Sequence, residues 1–282
     1  MVAAGRLAQQ HVVSKDHYIV PGNGDDSGAV SYHTLTPVLG ATFRLTQDCA
    51  VSADQAGLNF GLAAARSDNF ELGIKAKLDE RMQASVAAFH IATANELAVL
   101  ANAGGRTVYQ NAGATRRDGI EASVKGDWKN GIGMVLAYSW LRAVYAQPFC
   151  SGACTPATMV AAGNRLPGVP NQTLYGELSW RHAASGFSAA LEGRYSGRML
   201  VDDLNSDAAS GYVLTSLRAG FERSVGGWTL KSYARINNLA DRCYAGSVIV
   251  NESNRRFFEP APGRSWPASA LAMPDKGACA IE

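Results

Sequence analysis

Apolar and polar side chains alternate in four separate segments of the chain. In residues 70–78, which read Phe-Glu-Leu-Gly-Ile-Lys-Ala-Lys-Leu, every second residue is apolar and the residues between are polar or glycine. The same pattern occurs in residues 120–128, 187–195 and 228–236. A period of two predicts β-strands that present one apolar face and one wet face.

Short turns and long connections alternate between these segments. The turns at 79–80, 129–131, 183–186 and 224–227 predict four hairpins, with strands at 68–78, 81–92, 118–129, 132–144, 171–182, 187–198, 212–223 and 228–238. Further strand candidates are 34–45, 244–250 and part of 7–20. The connections between hairpins are much longer, at roughly 93–115, 142–170, 197–211 and 240–262. Short turns at one end and long loops at the other are typical of an outer-membrane β-barrel.

The composition is compatible with strands that cross a membrane. The chain has 282 residues, of which 18% are charged, fewer than the roughly 25% of soluble domains. The mean hydropathy is −0.08. A membrane helix needs roughly 18 consecutive apolar residues and none occur, whereas a spanning strand needs only about 9–11 residues with one apolar face. The net charge of +2 is too small to predict a nucleic-acid partner. A soluble β-sandwich also alternates, but its turns are not usually short at one end only.

The five cysteines are Cys49, Cys150, Cys154, Cys243 and Cys279. Cys150 and Cys154 lie close together in the second long loop and are candidates for a disulfide if that loop meets an oxidising space. A zinc site is the alternative, but no second pair of cysteines or histidines has ligand spacing. No Ser/His/acid set is recognisable either. We therefore predict no metal site, no cofactor and no enzymatic activity.

Four motifs follow one another in an order known from a single family. Residues 235–244, Arg-Ile-Asn-Asn-Leu-Ala-Asp-Arg-Cys-Tyr, resemble the Asn-Leu-Phe-Asp-x-x-Tyr element near the end of TonB-dependent outer-membrane receptors. Residues 66–75 are similar to that family's Pro-Glu-x-x-x-x-Glu-x-Gly-x-Lys strand, and residues 109–121 to its Asn-x-Gly-x-x-x-x-x-Gly-x-Glu segment. Residues 164–170, Asn-Arg-Leu-Pro-Gly-Val-Pro, match its re-entry from loop to strand. The resemblance covers roughly residues 34–266.

The resemblance implies an all-β fold, an antiparallel up-and-down transmembrane β-barrel in the outer membrane of a Gram-negative cell, covered by lipid on its outer face. The family's full form has a plug domain inside a 22-strand barrel. Residues 1–266 are expected to supply about 10–12 strands of such a barrel without the plug, followed by an irregular tail at 267–282. The family takes up a scarce ligand, usually a ferric siderophore. It is energised by the TonB complex, whose contact region we do not find in this sequence.

Three features depart from the family pattern. Residues 46–53 lead almost at once into 57–60, so we expect one strand of the family to be missing, which up-and-down pairing does not tolerate. After Trp266, the residues Pro267 and Pro274 predict that no closing strand forms, since proline cannot donate to a β-ladder. The first residues do not read as a signal peptide. These features predict a C-terminal barrel fragment, with a truncated, non-functional product as the alternative.

The long loops hold the residues that we expect to bind ligand. Arginine suits an anionic chelate by its charge and fork geometry, and tyrosine by stacking and by its hydroxyl. The candidates are Arg106, Tyr109, Arg116 and Arg117 at the first loop, Tyr145 and Arg165 at the second, and Arg255 and Arg256 in the fourth. The third loop carries Asp202 and Asp203. Alternatively, these are ordinary solvated loop side chains.

Three other functions stay open at this point. A passive pore or structural barrel would conduct ions without TonB. A secreted β adhesin would lack an apolar stripe facing lipid. An outer-membrane enzyme would need a serine, histidine or acid whose replacement abolishes hydrolysis.

Overall fold

The computed structural model describes residues 3–14, 28–39, 53–54, 57–58, 62–103 and 106–274. Every regular element within these ranges is a β-strand. No helix long and apolar enough to cross a membrane is found in them. The prediction of an all-β chain is therefore confirmed for the described part.

Two hairpins precede the main sheet. Strand β1 (Ala3–Ser14) pairs antiparallel with β2 (Gly28–Leu39), and β3 (Ala53–Asp54) pairs with β4 (Gly57–Leu58). Strands β1 and β2 overlap the candidates at 7–20 and 34–45 but begin earlier. The expected loss of a family strand was inferred from residues 46–53 and 57–60, of which only 53–54 and 57–58 are among the described residues.

The remaining strands form the main sheet and several small pairs. In chain order they are β5 (Arg66–Lys77), β6 (Met82–Ala94), β7 (Leu97–Ala103), β8 (Arg106–Asn111), β9 (Thr115–Asp127), β10 (Ile132–Tyr145), β11 (Phe149–Cys150), β12 (Met159–Val160), β13 (Gln172–His182), β14 (Phe187–Ser196), β15 (Met199–Leu200), β16 (Ala208–Ala209), β17 (Tyr212–Val225), β18 (Trp228–Ile236), β19 (Ala245–Val248), β20 (Phe258–Pro260) and β21 (Ala268–Pro274).

Nine of these strands form one antiparallel sheet in the order β21-β18-β17-β14-β13-β10-β9-β6-β5. It contains the four predicted hairpins, β5–β6, β9–β10, β13–β14 and β17–β18, which are confirmed with bounds shifted by at most three residues. The four long connections carry two-stranded sheets of their own, β7–β8, β11–β12, β15–β16 and β19–β20. The sheet does not close into a barrel within the described residues, as expected of part of a larger barrel.

The prediction of an irregular tail after Trp266 is wrong for the described residues up to 274. Strand β21 pairs with β18 from Ala268 opposite Ala234 to Pro274 opposite Trp228. The two prolines that argued against a strand lie just before its first residue and at its last, so neither interrupts the ladder. Strand β21 is also an edge strand of this sheet, where proline is tolerated.

The register separates the side chains of the sheet into two faces. We call the face that carries Leu72, Ile120, Leu136 and Leu191 the outer face, and the opposite face the inner face. Leu72 is 81% exposed and Leu136 is 44% exposed. The compact apolar cluster lies instead under the loops, where Ala98, Ala112, Tyr145 and Val160 are buried. Apolar strands left uncovered on one face are what a lipid-facing surface requires.

Candidate functional site

The inner face of the sheet is lined by polar side chains from every strand pair. A broad cleft of about 1220 Å³ runs along it and is lined, among others, by Glu71, Lys75, Ser123, Tyr175 and Arg194. These side chains occupy the positions between the outward apolar residues, so the period of two in the sequence builds this surface directly. The arrangement is that of a wet wall facing the interior of a barrel.

Four charged side chains form a connected group on this wall, which we call the inner ladder: Glu177, Glu192, Arg218 and Arg235. The register places Glu177 directly opposite Glu192, and Arg218 directly opposite Arg235. Like charges directly opposite each other destabilise a sheet. Diagonal pairing offsets this repulsion, because Arg218 Nη2 lies 3.0 Å from Glu177 Oε1 and Arg235 Nη2 lies 2.6 Å from Glu192 Oε2.

The inner ladder is extended by neutral groups at both ends. Tyr175 donates its hydroxyl to Glu177 Oε2 at 2.8 Å, and Arg235 Nε donates to Asn237 Oδ1 at 2.5 Å. Asn237 in turn donates to the Ser265 hydroxyl at 3.0 Å. A smaller cleft of about 270 Å³ lies beside Tyr175, Glu192, Arg235 and Asn237. The sequence did not single these residues out as a site, although all of them except Ser265 lie in the strands that it predicted.

The long loops meet at a buried carboxylate, Asp203, which is only 1% exposed. Tyr145 donates its hydroxyl to Asp203 Oδ1 at 2.5 Å, and Asn251 donates its side-chain amide to Asp203 Oδ2 at 2.8 Å. The same Asn251 amide also donates to the carbonyl of Val99. Burial raises the pKa of Asp203, and the hydrogen bonds from Tyr145 and Asn251 oppose this increase. These contacts, which we call the Asp203 node, therefore connect all four long loops.

A second group of side-chain contacts holds the first loop against the sheet. Arg117 forms a two-point contact with Glu96, with Nη1 at 2.9 Å from Oε2 and Nη2 at 3.0 Å from Oε1. Thr115 donates its hydroxyl to the same Glu96 carboxylate at 2.6 Å. Such fork geometry fixes both side chains. Arg117 and Tyr145, both predicted ligand residues, thus have partners inside the protein.

Contacts between the first and fourth loops bring together the segments of three other predicted ligand residues, Arg106, Arg255 and Arg256. Asn102, near the tip of the β7–β8 hairpin, forms a β-bridge with Glu252, and Ser253 donates its backbone N–H to the Asn102 carbonyl at 2.9 Å. We call this contact the loop junction. Next to the loop junction, Arg106 pairs with Ala103 in the β7–β8 hairpin, and Arg255 and Arg256 come shortly after Ser253 in the chain. All three arginines are exposed and form no ion pair with the described residues.

The remaining candidates lie elsewhere. Tyr109 pairs with Val99 in the β7–β8 hairpin and is half-buried. The register puts Arg116 opposite Ala92 and Val144 on the outer face, and Arg165 forms a bridge with the same Val144. Cys150 and Cys154 are disulfide-bonded within the second loop. No group of three or more potential metal-ligating side chains is found in the described residues.

Comparison with known proteins agrees with this geometry. The family described as "TonB dependent receptor-like, beta-barrel" matches residues 2–239. The siderophore receptor PiuA from Acinetobacter baumannii is 18% identical, with a TM-score of 0.62 over 94% of this chain and 38% of its own. The ferric-catecholate import receptor Fiu from E. coli K12 is 17% identical, with a TM-score of 0.61 over 96% and 42%. The copper transporter OprC is 14% identical, with a TM-score of 0.63 over 96% and 44%.

These similarities differ in what they establish. At such identities the solved structures show a shared fold, and the chain spans about two fifths of their length. The family match, in contrast, covers most of the sequence and confirms the resemblance that the motifs indicated. The chain therefore belongs to the TonB-dependent receptors, a family of outer-membrane β-barrels.

Proposed function

We propose that this chain is the part of a TonB-dependent receptor that takes up a ferric siderophore from outside the cell. The proposal rests on the exposed arginines at the loop junction, Arg106, Arg255 and Arg256, which have no carboxylate partner among the described residues. Ferric complexes of catecholates are anions, and guanidinium groups bind such ligands by charge-assisted hydrogen bonds.

The path beyond the loops is also suited to such a ligand. The inner face below carries alternating carboxylates and cations together with hydroxyl groups, such as Tyr175 and Ser123. A wall of this kind offers weak polar contacts at many points rather than one deep trap, which favours passage over retention. In this proposal the energy for passage comes from the TonB complex, as in the rest of the family.

The proposal is tested by binding of ferric tris(2,3-dihydroxybenzoate) to the purified chain in detergent, followed by quenching of the fluorescence of its 5 tryptophans. The double variant Arg255→Gln, Arg256→Gln should bind about tenfold or more weakly, because one charge-assisted contact contributes about 1.5–3 kcal/mol. A Lys129→Gln variant at the opposite, turn end of the sheet serves as the control and should bind normally.

Two further ligands sharpen this experiment. A neutral ferric trihydroxamate should bind the wild-type chain more weakly than the anionic complex, because it gives the arginines no net charge to neutralise. Cu²⁺ alone should not bind. Equal binding of the anionic complex by the double variant and the wild type, or preference for Cu²⁺, would refute the proposal.

A further inference from the structure

The second long loop brings three sulfur-containing side chains together. Cys150 and Cys154 are joined by a disulfide, and their Cα atoms are 5.1 Å apart. Met159 is the register partner of Cys150 in the β11–β12 pair. Ser151 donates its backbone N–H to the Thr158 carbonyl at 2.9 Å, which makes Cys150 and Met159 a non-hydrogen-bonded pair. In such a pair the two side chains lie on the same face and approach each other most closely.

The contacts that shape this loop do not depend on the disulfide. Thr158 donates its backbone N–H to the Thr155 carbonyl at 3.1 Å, and Thr155 donates its own N–H to the Thr158 hydroxyl oxygen at 3.0 Å. The same hydroxyl donates to the Ala153 carbonyl. On the side of the sheet, the ring of Phe149 packs against Tyr145, with centroids 4.7 Å apart. Opening the S–S bond therefore leaves the two cysteines close to each other.

The surroundings of these side chains offer no hard metal ligand from the same loop. Residues 146–163 contain no histidine, aspartate or glutamate, and no lysine or arginine. Gly152, between the cysteines, faces an apolar side chain, since a Cβ built on it would lie 3.7 Å from Leu100 Cδ1. Met159 is 46% exposed and Cys154 is exposed as well, so a metal ion can reach the sulfur atoms from outside.

Two thiolates and one thioether suit a soft metal ion with few ligands. Such donors select Cu(I), whereas a structural zinc ion almost always takes four donors. We propose that Cys150, Cys154 and Met159 bind Cu(I) once a thiol reductant has opened the disulfide. The prediction of no metal site rested on cysteine and histidine spacing, and a group of histidines, cysteines and acids is absent from the described residues because the third donor is a methionine brought in by strand pairing.

The chemistry of the site balances in two steps. A dithiol transfers two electrons and two protons to the Cys150–Cys154 bond, which becomes two thiols while the reductant closes to its own disulfide. Cu(I) then displaces both thiol protons, which pass to water, and the neutral Met159 thioether adds as the third donor. While the disulfide is intact, neither cysteine can supply a thiolate, so the site is closed.

The site goes beyond siderophore uptake and does not depend on it. The loop junction is formed by the first and fourth loops, whereas the three sulfur donors all belong to the second. Variants of the sulfur donors should therefore bind ferric tris(2,3-dihydroxybenzoate) as the wild type does. The measurement with Cu²⁺ described above uses the chain with its disulfide closed, so its outcome is independent of this site.

The experiment titrates Cu(I) into the full chain in neutral maltoside micelles without oxygen, in competition with the coloured chelator bicinchoninate. The chain is first reduced with dithiothreitol, which is then removed by gel filtration. The reduced wild type should bind one more equivalent of Cu(I) than the variant Cys150→Ser, Cys154→Ser, which keeps the other three cysteines, Cys49, Cys243 and Cys279. Without reduction, the two proteins should bind the same amount.

The variant Met159→Leu tests the third donor, because leucine fills a similar volume without a sulfur atom. It should bind Cu(I) about tenfold or more weakly, since even the loss of a contact that supports a metal ligand costs about 10–100-fold in affinity. X-ray absorption should show three sulfur neighbours of copper in the wild type and two in this variant. Met273→Leu, at an exposed methionine of the edge strand β21, is the matched control and should bind as the wild type does.

Three results would overturn the site. The first is equal Cu(I) uptake by the reduced wild type and the double serine variant, which would mean that the cysteines of the loop hold no copper. The second is equal affinity of the wild type and Met159→Leu. The third is preference of the reduced loop for Zn²⁺ when both ions compete, which would contradict a set of three soft donors.

Discussion

At the scale of single residues, the short turns show how local chemistry sets the sheet. Asp79 accepts backbone N–H bonds from Arg81 at 2.6 Å and Met82 at 2.7 Å, which closes the first turn. Gly226 and Gly227 both have positive φ, 61° and 82°, as a two-residue hairpin of the favoured hand requires. Gly131 has a further constraint, because a Cβ there would lie 1.9 Å from the Arg181 carbonyl oxygen.

Asp203 gives the residue-scale prediction, because its carboxyl is buried and its pKa is raised by that burial. A folded-state pKa above the ordinary value of about 3.9 means that the folded loops favour the protonated form. The contribution of Asp203 to stability is therefore fully present below about pH 4 and is lost as the pH rises through its raised pKa. The loop assembly should loosen across that window.

The variant Asp203→Asn should remove this dependence. The amide oxygen of the variant can still accept from Asn251, its N–H can donate to the Tyr145 oxygen once that hydroxyl turns its own proton away, and the amide carries no charge to bury. Limited proteolysis of the loops at about pH 4 and about pH 8 should show a wild type that is more readily cut at the higher pH and a variant that is not. Asp207→Asn is the matched control, because Asp207 is exposed in the same loop and accepts only from the neighbouring Ala208 N–H with its side chain. A variant that retained the wild-type pH response would contradict this account.

At the scale of elements, the hairpins could be predicted from the sequence because their signals are local. Alternation fixes which side chains share a face, and the turn residues fix where each hairpin reverses. The segment 187–195 illustrates this, since Phe187, Leu191 and Tyr195 all pair with residues of the same outer face. Nothing beyond a stretch of ten or so residues is needed for these predictions.

Other elements could not be predicted, because their environment is set by distant parts of the chain. Strands β7 and β8 belong to the first long loop, where most of their residues are partly buried. Since both faces are partly covered, apolar and polar residues need not alternate along them. Strand β21 forms because it can pair with the free edge of β18. Its own sequence, with small residues such as Ala268 and Ala270, shows little of the alternation that predicts a strand. The node at Asp203 needs Asn251 to approach from another loop. Its only signal in the sequence was a pair of acids in a loop.

The inner ladder provides the element-scale prediction, since it joins the four strands of two neighbouring hairpins, β13–β14 and β17–β18. The Glu192 side chain is 12% exposed and makes two bonds with Arg235, so water replaces them poorly when one partner is removed. A double-mutant cycle with Glu192→Ala and Arg235→Ala should give a coupling of about 1–3 kcal/mol in the free energy of unfolding. Urea denaturation in detergent micelles supplies the measurement.

The same face offers a comparison pair. Glu222 and Lys231 are directly opposite each other on β17 and β18 at 2.8 Å, but their side chains are 62% and 44% exposed. An exposed ion pair of this kind should give a coupling below about 1 kcal/mol, because water screens both charges. If the two cycles gave equal couplings, burial would not be what gives the inner ladder its strength.

At the scale of the whole molecule, the sheet has its apolar and polar side chains in the reverse of the positions usual in a soluble protein. A soluble sheet covers its apolar face with another layer, whereas the outer face here leaves Leu72, Ile74 and Leu178 more than half exposed. The charged side chains instead line the concave cleft of the inner face. This inversion is stable only if lipid covers the outer face, and the substitution of one residue on each face tests that requirement.

Leu136 and Ser123 make a suitable pair for that test, because they are on adjacent strands at nearly the same height. Leu136 pairs with Val124, the neighbour of Ser123, and points to the outer face, while Ser123 lines the inner cleft. Leu136→Arg should destabilise the chain folded in phosphatidylcholine vesicles by about 2–4 kcal/mol, the cost of an arginine near the bilayer midplane. Ser123→Arg should cost only about 1 kcal/mol, the value of its hydrogen bond with Ser85. Urea titration monitored by heat-dependent gel mobility measures both, and equal costs would mean that water, not lipid, covers the outer face.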